Sequence, residues 1–527
     1  MRNLVVSLLL IGYAAYATTA PAPNTTASKN APQDAATGPR RTAQEVRAWR
    51  EANETRVMDE LRAFLAIPNF ASDTPNIQRN AAKIVEMLHA RGFTTQLLPI
   101  ENRGPVVLGR LDAPGASRTV IFYMHYDGQS IDPATWTGTK PYEPALRDKP
   151  LEDGGRIIAF PGGGERYNDD WRLYARSAAD DKSPIIALLA AIDALRARNI
   201  PIGVNVKVVF EGEEEGGSPN LERMLVTHRD LLAGDLLING DGPVHQSGQM
   251  MITFGNRGIV SAQITVYGPL RPLHSGHYGN WAPNPAMRLA QLLATMKDEN
   301  GHVRIENFYD GIEPLGPTAR KALEEMPSND AALEKEFAIE APEGEGKKLV
   351  ELLTQPSLNV DGLRSADVGE QSRTVIPDQA TAAIDMRLVK SITPQMQYDR
   401  LVAHIRAEGY FVTPNEPTVE ERRAHAKIVR VIMSKGGYPA SMTSMDLPIS
   451  KALADVVDAA TGGGLVRMPI LGGSAPMYVF ENLKLPVISV PIVNYDDNQH
   501  SPNENLRVGH FWRGMEVYGA ILADLKW

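Results

Sequence analysis

Five short segments of the chain carry side chains that bind divalent metals, and four of them directly follow a predicted strand. These segments are His125-Tyr126-Asp127, Asp180-Asp181-Lys182, the acidic run at 211–215, Asp241 and His500. The chain has no cysteine, so thiolate zinc sites, cysteine nucleophiles and iron–sulfur clusters are excluded. Any metal must be held by His, Asp and Glu, a ligand set that suits two zinc ions, or manganese or cobalt.

The local patterns indicate different tasks for these side chains. Residues two apart on an extended chain face the same way, so Asp127 can accept the second N–H of the His125 imidazole and fix its tautomer. Asp180 and Asp181 precede a predicted helix, where they either cap it or supply a carboxylate that bridges two cations. The four carboxylates within residues 211–215 repel one another, which a cleft tolerates only with cations bound.

Alternating strands and helices position these segments. Apolar and β-branched runs predict strands at 119–124, 204–210 and 236–239. Helical spacing predicts one helix over 43–66 and another over 183–198, with Ser183 as its N-cap. This alternation implies a layered α/β domain with a mostly parallel sheet, in which ligands gather outside the carboxyl ends of the strands.

The sequence pattern changes near residue 255 and changes back near residue 440. We therefore predict a catalytic domain formed by 42–255 and 441–527, interrupted by a smaller α+β domain at 256–440. Within the insertion, residues 300–346 are acidic and read as irregular.

The N-terminus is typical of a secreted protein. Arg2, an uncharged apolar stretch and the small-residue pattern at 15–17 predict a signal peptide over 1–20, followed by a flexible linker at 21–41. We expect a secreted or periplasmic protein without a stable membrane anchor. The net charge of −9 and the lack of a basic run argue against nucleic-acid partners.

Taken together, the motifs resemble those of the M20 metallopeptidase family, particularly its dipeptidase, carnosinase-like branch. The matching residues are His125, Asp127, Asp180-Asp181-Lys182, Glu214-Glu215, Asp241, Leu273-His274-Ser275-Gly276, Thr374-Val375-Ile376-Pro377, Arg387-Leu388-Val389, Gly472-Gly473-Ser474 and His500. Their order and spacing both agree with the family, from about residue 61 to the C-terminus. Two departures bear on substrate choice: Ser183 replaces the usual glycine, and residues 150–170 look like an insertion.

The resemblance implies a role for each matching residue. Asp180 would bridge two metal ions, with His125 and Asp241 completing one ion and Glu215 and His500 the other. Glu214 would be the general base for a metal-activated water, and Asp127 would orient His125.

The inserted domain dimerises in the family, and its histidine stabilises the tetrahedral oxyanion. The resemblance therefore implies a homodimer, with His274 in that catalytic role. Arg387 is a candidate for pairing with the substrate carboxylate, while Asn359 and Ser474 are further candidate substrate contacts.

Three functions stay open at this point. The first is hydrolysis of dipeptides or other small peptides, and the second is deacylation of N-acyl amino acids at the same metal site. The third is a non-catalytic binding protein, which the presence of Glu214 and all five ligands argues against. A serine hydrolase is disfavoured because the segment around Ser474 lacks the second glycine of a nucleophile elbow.

Overall fold

The computed structural model describes residues 37–527; the predicted signal peptide and most of the predicted linker lie outside them. The described helices are α1 (Pro39–Glu51), α2 (Glu54–Leu65), α3 (Thr74–Ala90), α4 (Lys182–Ala197), α5 (Leu221–Thr227), α6 (Ser275–Tyr278), α7 (Pro285–Met296), α8 (Pro317–Glu325), α9 (Asp330–Glu336), α10 (Leu349–Leu352), α11 (Pro394–Ala407), α12 (Val419–Ala424), α13 (Pro448–Thr461), α14 (Tyr478–Glu481) and α15 (Val508–Asp524). The described strands are β1 (Thr94–Leu98), β2 (Val106–Leu111), β3 (Thr119–His125), β4 (Ala145–Arg147), β5 (Ile157–Ile158), β6 (Arg172–Tyr174), β7 (Asn205–Glu211), β8 (Leu236–Asn239), β9 (Met251–Thr253), β10 (Gly255–Asn256), β11 (Gly258–Tyr267), β12 (Leu273–His274), β13 (Ser357–Arg364), β14 (Val375–Ile376), β15 (Gln379–Leu388), β16 (Phe411–Thr413), β17 (Ile428–Met433), β18 (Ser441–Met442), β19 (Val466–Met468), β20 (Val487–Ser489) and β21 (Asn505–Arg507).

The larger sheet has eight strands in the order β1-β2-β7-β3-β8-β20-β9-β19. Its centre, from β7 through β3 and β8 to β20, is parallel, whereas β1, β2 and β9 add antiparallel pairings. Helices α1, α4 and α15 pack against one another beside this sheet. Helix α4 is apolar nearly all round because most of its residues are buried in the main core. The predicted α/β class is confirmed, with a mixed sheet whose centre is parallel.

A second sheet of five strands, β13-β15-β11-β17-β16, has a hydrophobic core of its own. We call it the lid sheet. Its pairings are antiparallel except for the one between β16 and β17, and α7 and α11 contact its strands. Along β11 and β15, alternate residues such as Val260 and Met386 are fully buried in that core. The residues between them, such as Ile259 and Arg387, are half-buried on the opposite face.

Two observations bear on how the chain passes between the sheets. The short strands β10 and β18 pair with each other at the two points where the chain enters and leaves the lid region. Helix α8, although it falls within 256–440, packs against β19 of the larger sheet through Leu323, beside Val466 and Met468. The domain limits given above stay a prediction.

Three local predictions are wrong in detail. The single helix over 43–66 is two helices, since α1 ends at Glu51 and Asn53 turns its side chain back to donate to the Trp49 carbonyl. Helix α4 begins at Lys182, which places Ser183 inside the helix and not at its cap. The segment 300–346 contains α8 and α9. Among the described helices, none combines the length and apolar character needed to cross a membrane.

Candidate metal centre

The candidate metal centre lies at the carboxyl ends of three neighbouring strands in the parallel part of the larger sheet. β3 ends at His125, β7 runs into the helical turn Glu214–Gly216, and β8 is followed two residues later by Asp241. Asp180 precedes α4, and His500 stands on the loop between β20 and β21. Parallel strands therefore bring together residues that are up to 375 positions apart, from 125 to 500.

Asp180 is the centre of this cluster. Its Oδ1 lies 2.7 Å from Nε2 of His125, and its Oδ2 lies 3.1 Å from Nε2 of His500. The same His500 nitrogen is 3.1 Å from Oε2 of Glu215. Ligand atoms of His125, Asp180 and Asp241 lie within 4.8 Å of one another, as do those of Asp180, Glu215 and His500. The cluster thus forms two groups of three ligands that share Asp180.

The carboxyl groups of the cluster lie in an environment that disfavours negative charge. Burial, followed by the charge of Asp180, raises the pKa of Asp241 to about 7. Burial also raises the pKa of Glu214 well above its usual value. Burial acts in the same direction on the pKa of Asp180, but hydrogen bonds from His125 and His500 outweigh it and lower that pKa. Bound cations would relieve the repulsion among these carboxylates.

The two imidazoles are held by carboxylates. Hydrogen bonds to Asp180 and Glu215 raise the pKa of His500 to about 10. Burial opposes the charged form of His125, but its hydrogen bonds to Asp127 and Asp180 raise its pKa well above the usual value. A divalent cation would replace the proton at the nitrogens that face Asp180.

Asp127 connects the strand that carries His125 to the acidic turn. Its carboxylate accepts the backbone N–H of Glu214 at 3.1 Å and that of Glu215 at 3.0 Å. Nδ1 of His125 lies 3.2 Å from the backbone carbonyl of Asp127 and 3.4 Å from its Oδ1. Gln129, which sequence reasoning missed, donates to Glu215 Oε2 at 2.8 Å. These contacts fix the orientation of one imidazole and of the turn that follows β7.

Glu504 was also missed, although it is fully buried beside the cluster. Its carboxylate accepts four hydrogen bonds, from the Arg176 guanidinium at 2.7 Å and from the backbone N–H groups of Ser177, Ala179 and Asp180 at 2.9, 2.9 and 3.0 Å. Arg176 in turn donates to the Ser501 carbonyl, next to His500. Glu504 and Arg176 thus join the segment that carries Asp180 to the loop that carries His500.

The predicted substrate residues lie on the lid sheet and on a loop that contacts it. Arg387 on β15 donates to Asp385 Oδ1 at 3.1 Å and to Ser474 Oγ at 2.8 Å. Asn359 on β13 is exposed and donates to Asp361. His274, at the end of β12, is exposed, and among residues 37–527 no hydrogen bond or ion pair joins it to the metal-ligand cluster. The structure therefore brings Arg387 and Ser474 together, with Asn359 directly opposite Asp385 on the neighbouring strand. Within the described residues, His274 makes no hydrogen bond to any of them.

A mixed α/β layer with paired His and carboxylate clusters at its strand ends defines a class of metal-dependent hydrolases. A sequence profile of the Peptidase family M20/M25/M40 matches residues 121–524. The chain belongs to this family, and it is a hydrolase of the metallopeptidase type.

Similar proteins include two curated dipeptidases. A Cys-Gly metallodipeptidase of Candida albicans (strain SC5314 / ATCC MYA-2876) is 28% identical over 496 residues, which cover 90% of this chain and 95% of the relative. The Beta-Ala-His dipeptidase of Homo sapiens is 27% identical over 483 residues, covering 89% of this chain and 86% of the relative.

Solved structures give the same result for the fold. An M20 family metallo-carboxypeptidase from Sulfolobus solfataricus superposes with a TM-score of 0.71 at 26% identity, covering 89% of this chain and 99% of its own. Human carnosine dipeptidase 1 superposes with a TM-score of 0.68 at 22% identity, covering 92% of this chain and 98% of its own.

Proposed function

We propose that the protein is an exported dipeptidase that binds two zinc ions and cleaves the amide bond of dipeptides or other small peptides. The observation that carries this proposal is the pair of ligand groups that share Asp180. The dipeptidase names of the curated relatives support the substrate class. Export rests on the sequence of residues 1–20 alone.

The ligand set fits a pair of divalent ions. Each group offers one imidazole nitrogen and two carboxylates, a donor set that zinc accepts and that manganese or cobalt also tolerates. His125 and Asp241 would hold one ion, Glu215 and His500 the other, and Asp180 both. Two ions held this way would bind one water between them and lower its pKa.

Glu214 is the proposed general base. It is half-buried beside the ligands, and burial together with the charges of Asp241, Asp127 and Asp180 raises its pKa, a combination typical of a carboxylate that takes part in proton transfer. Its carboxylate takes the proton of the attacking water and passes it to the amine that leaves. Asp127 holds the backbone of Glu214 in place for this step.

Arg387 and Ser474 are the proposed contacts of the substrate carboxylate. A guanidinium pairs with a carboxylate through two parallel hydrogen bonds, and Ser474 fixes the Arg387 fork by accepting one of its N–H groups. Asn359, one strand further on, is a weaker contact of the same kind. His274 would stabilise the oxyanion, and we infer that it does so from a second copy of the chain in a homodimer formed through the lid region.

Glu214→Gln tests the assignment because it keeps the shape of the side chain and removes the base. We expect zinc content to stay at two ions per chain, measured by elemental analysis, while kcat falls by about a thousandfold or more. His500→Ala is the matched control, since it should lower the metal content. Hydrolysis near the wild-type rate in Glu214→Gln, or no hydrolysis of any dipeptide beside ready hydrolysis of N-acetyl amino acids, would contradict the proposal.

A further inference from the structure

A row of three side chains crosses one face of the lid sheet. Ile259 on β11 is paired with Arg387 on β15. On its other side, Ile259 exchanges two backbone hydrogen bonds with Tyr438, at 2.9 and 3.0 Å. Residues directly opposite each other on neighbouring strands point to the same face. Arg387, Ile259 and Tyr438 therefore share the face opposite the lid core, and all three are half-buried.

The two ends of this row contact the same short segment of the chain, residues 474–478. At one end, Arg387 donates to Ser474 Oγ. At the other end, the Tyr438 ring lies nearly parallel to that of Tyr478, with 5.9 Å between centroids and 15° between planes. The segment from Ser474 to Tyr478 thus closes one side of the row, and Ile259 forms an apolar floor between a cation and an aromatic ring.

The row lies near the segment that carries the proposed base, because the Tyr478 hydroxyl donates at 3.2 Å to Glu222 on α5, the helix that follows the turn of Glu214. Burial and the charge of Glu214 raise the pKa of Tyr438 to about 12, and the charge of Arg387 opposes that rise. The charges of Glu214 and Arg387 thus both act on the Tyr438 hydroxyl. Arg387 and Tyr438 are separated by two strand spacings, about 10 Å along the sheet.

We propose that Ile259 and Tyr438 form the pocket for the side chain of the C-terminal residue of the substrate and select dipeptides in which this residue is apolar. The inference rests on the proposed function. In a dipeptide, every atom between the scissile amide and the free carboxylate belongs to the C-terminal residue. With that carboxylate on Arg387 and the amide beside Glu214, the C-terminal side chain lies over Ile259 and against the Tyr438 ring.

The chemistry of the pocket favours one class of side chain. An aliphatic floor and a stacked pair of tyrosines offer dispersion contacts and apolar area, and an aromatic guest can add an edge or face contact with Tyr438. Glycine fills none of this space. Because one methylene in an apolar pocket changes kcat/KM by tenfold or more, we expect leucine or phenylalanine to be preferred over glycine by at least about tenfold.

The experiment compares kcat/KM for Gly-Phe, Gly-Leu and Gly-Gly with the zinc-loaded full-length enzyme. We expect Tyr438→Ala to lower the ratio of Gly-Phe to Gly-Gly by about tenfold, and Tyr438→Phe to retain it, because the ring and not the hydroxyl makes the contact. Tyr495→Ala, which removes an exposed tyrosine elsewhere, is the matched control and should keep the wild-type ratio.

A second variant, Ile259→Ala, shortens the floor without removing the ring and should lower the ratio of Gly-Leu to Gly-Gly. A wild-type enzyme that hydrolyses all three dipeptides at similar kcat/KM, or a Tyr438→Ala ratio equal to that of the wild type, would overturn this inference and leave the proposed function intact. Failure to hydrolyse any of the three would overturn this inference, whereas the proposed function would fail only if no dipeptide of a wider panel were hydrolysed.

Discussion

At the scale of single residues, the site depends on carboxylates that have different surroundings. Asp180 contacts two imidazoles and keeps a lowered pKa, whereas Asp241, in the same cluster, has its pKa raised to about 7 by burial and by Asp180. Asp127 is fully buried, yet it accepts two backbone N–H groups and faces His125. Neighbouring donors, and not residue type, thus distinguish the pKa of Asp180 from that of Asp241.

Asp127→Asn should separate orientation from metal binding. The amide keeps only one acceptor oxygen. It can therefore accept only some of the hydrogen bonds that His125 and the backbone N–H groups of Glu214 and Glu215 offer to the carboxylate. Loss of a residue that orients a metal ligand typically costs 10–100-fold in activity or metal affinity, and we expect a fall of about that size in kcat/KM. Asp132→Asn, at an exposed cap, is the control. Equal kcat/KM and zinc affinity in Asp127→Asn and wild type would refute the orienting role.

At the scale of elements, sequence patterns predicted the helices and strands whose formation depends on local interactions. The strands that end near His125, Glu211 and Asn239 have strong apolar patterns, so the sequence predicted both the positions of these strands and the candidate ligands that follow them. The break between α1 and α2 could not be predicted from the sequence, because apolar spacing continues across it and the turn depends on the Asn53 side chain. The start of α4 differs for a similar reason, since Ser183 is buried by tertiary packing.

The contacts that join distant segments left no signal in the sequence. Glu504 follows His500 by four residues and Arg176 precedes Asp180 by four, but nothing local shows that they pair. The contact exists because the fold brings β6 and β21 side by side. Single-sequence reasoning therefore identified the candidate ligands and missed the buried pair that joins the segments of two of them.

Glu504→Gln tests this pair. An amide in place of the carboxylate leaves Arg176 without a counter-charge and turns an NH2 group toward backbone N–H donors. Breaking a buried ion pair costs about 3–5 kcal/mol, so we expect the free energy of unfolding in urea to fall by that amount. We also expect weaker zinc binding, because Asp180 and His500 lose their common support.

Glu152→Gln is the matched control for Glu504→Gln. Glu152 accepts a hydrogen bond from Asn498, on the same loop as His500, but this contact is exposed and should contribute little. Wild-type stability and zinc affinity in Glu504→Gln would show that the pair does not position the ligands.

At the scale of the whole molecule, one edge of the lid sheet has the features that the homodimer proposed above would need. β13 is the terminal strand of that sheet, and Val360 and Leu363 on it are exposed, as is Trp281 after α6. An exposed edge strand with apolar side chains is a site for pairing with another chain. A symmetric pairing there would use the same surface from both copies.

Mixed dimers decide whether His274 acts across that interface. Glu214→Gln and His274→Ala should each inactivate the enzyme when present in both subunits. In a heterodimer purified through two different affinity tags, the His274→Ala subunit keeps Glu214 and receives His274 from its partner. We therefore expect one competent site in two, and about half of the wild-type specific activity. If His274 acts within its own subunit, both sites of the heterodimer lack one group and activity stays at the level of the inactive parents.

Replacing Leu363 with Lys in both chains should abolish the rescue by separating the subunits, which sedimentation velocity would detect. Rescue that survives in monomeric protein would show that it arises without the proposed interface.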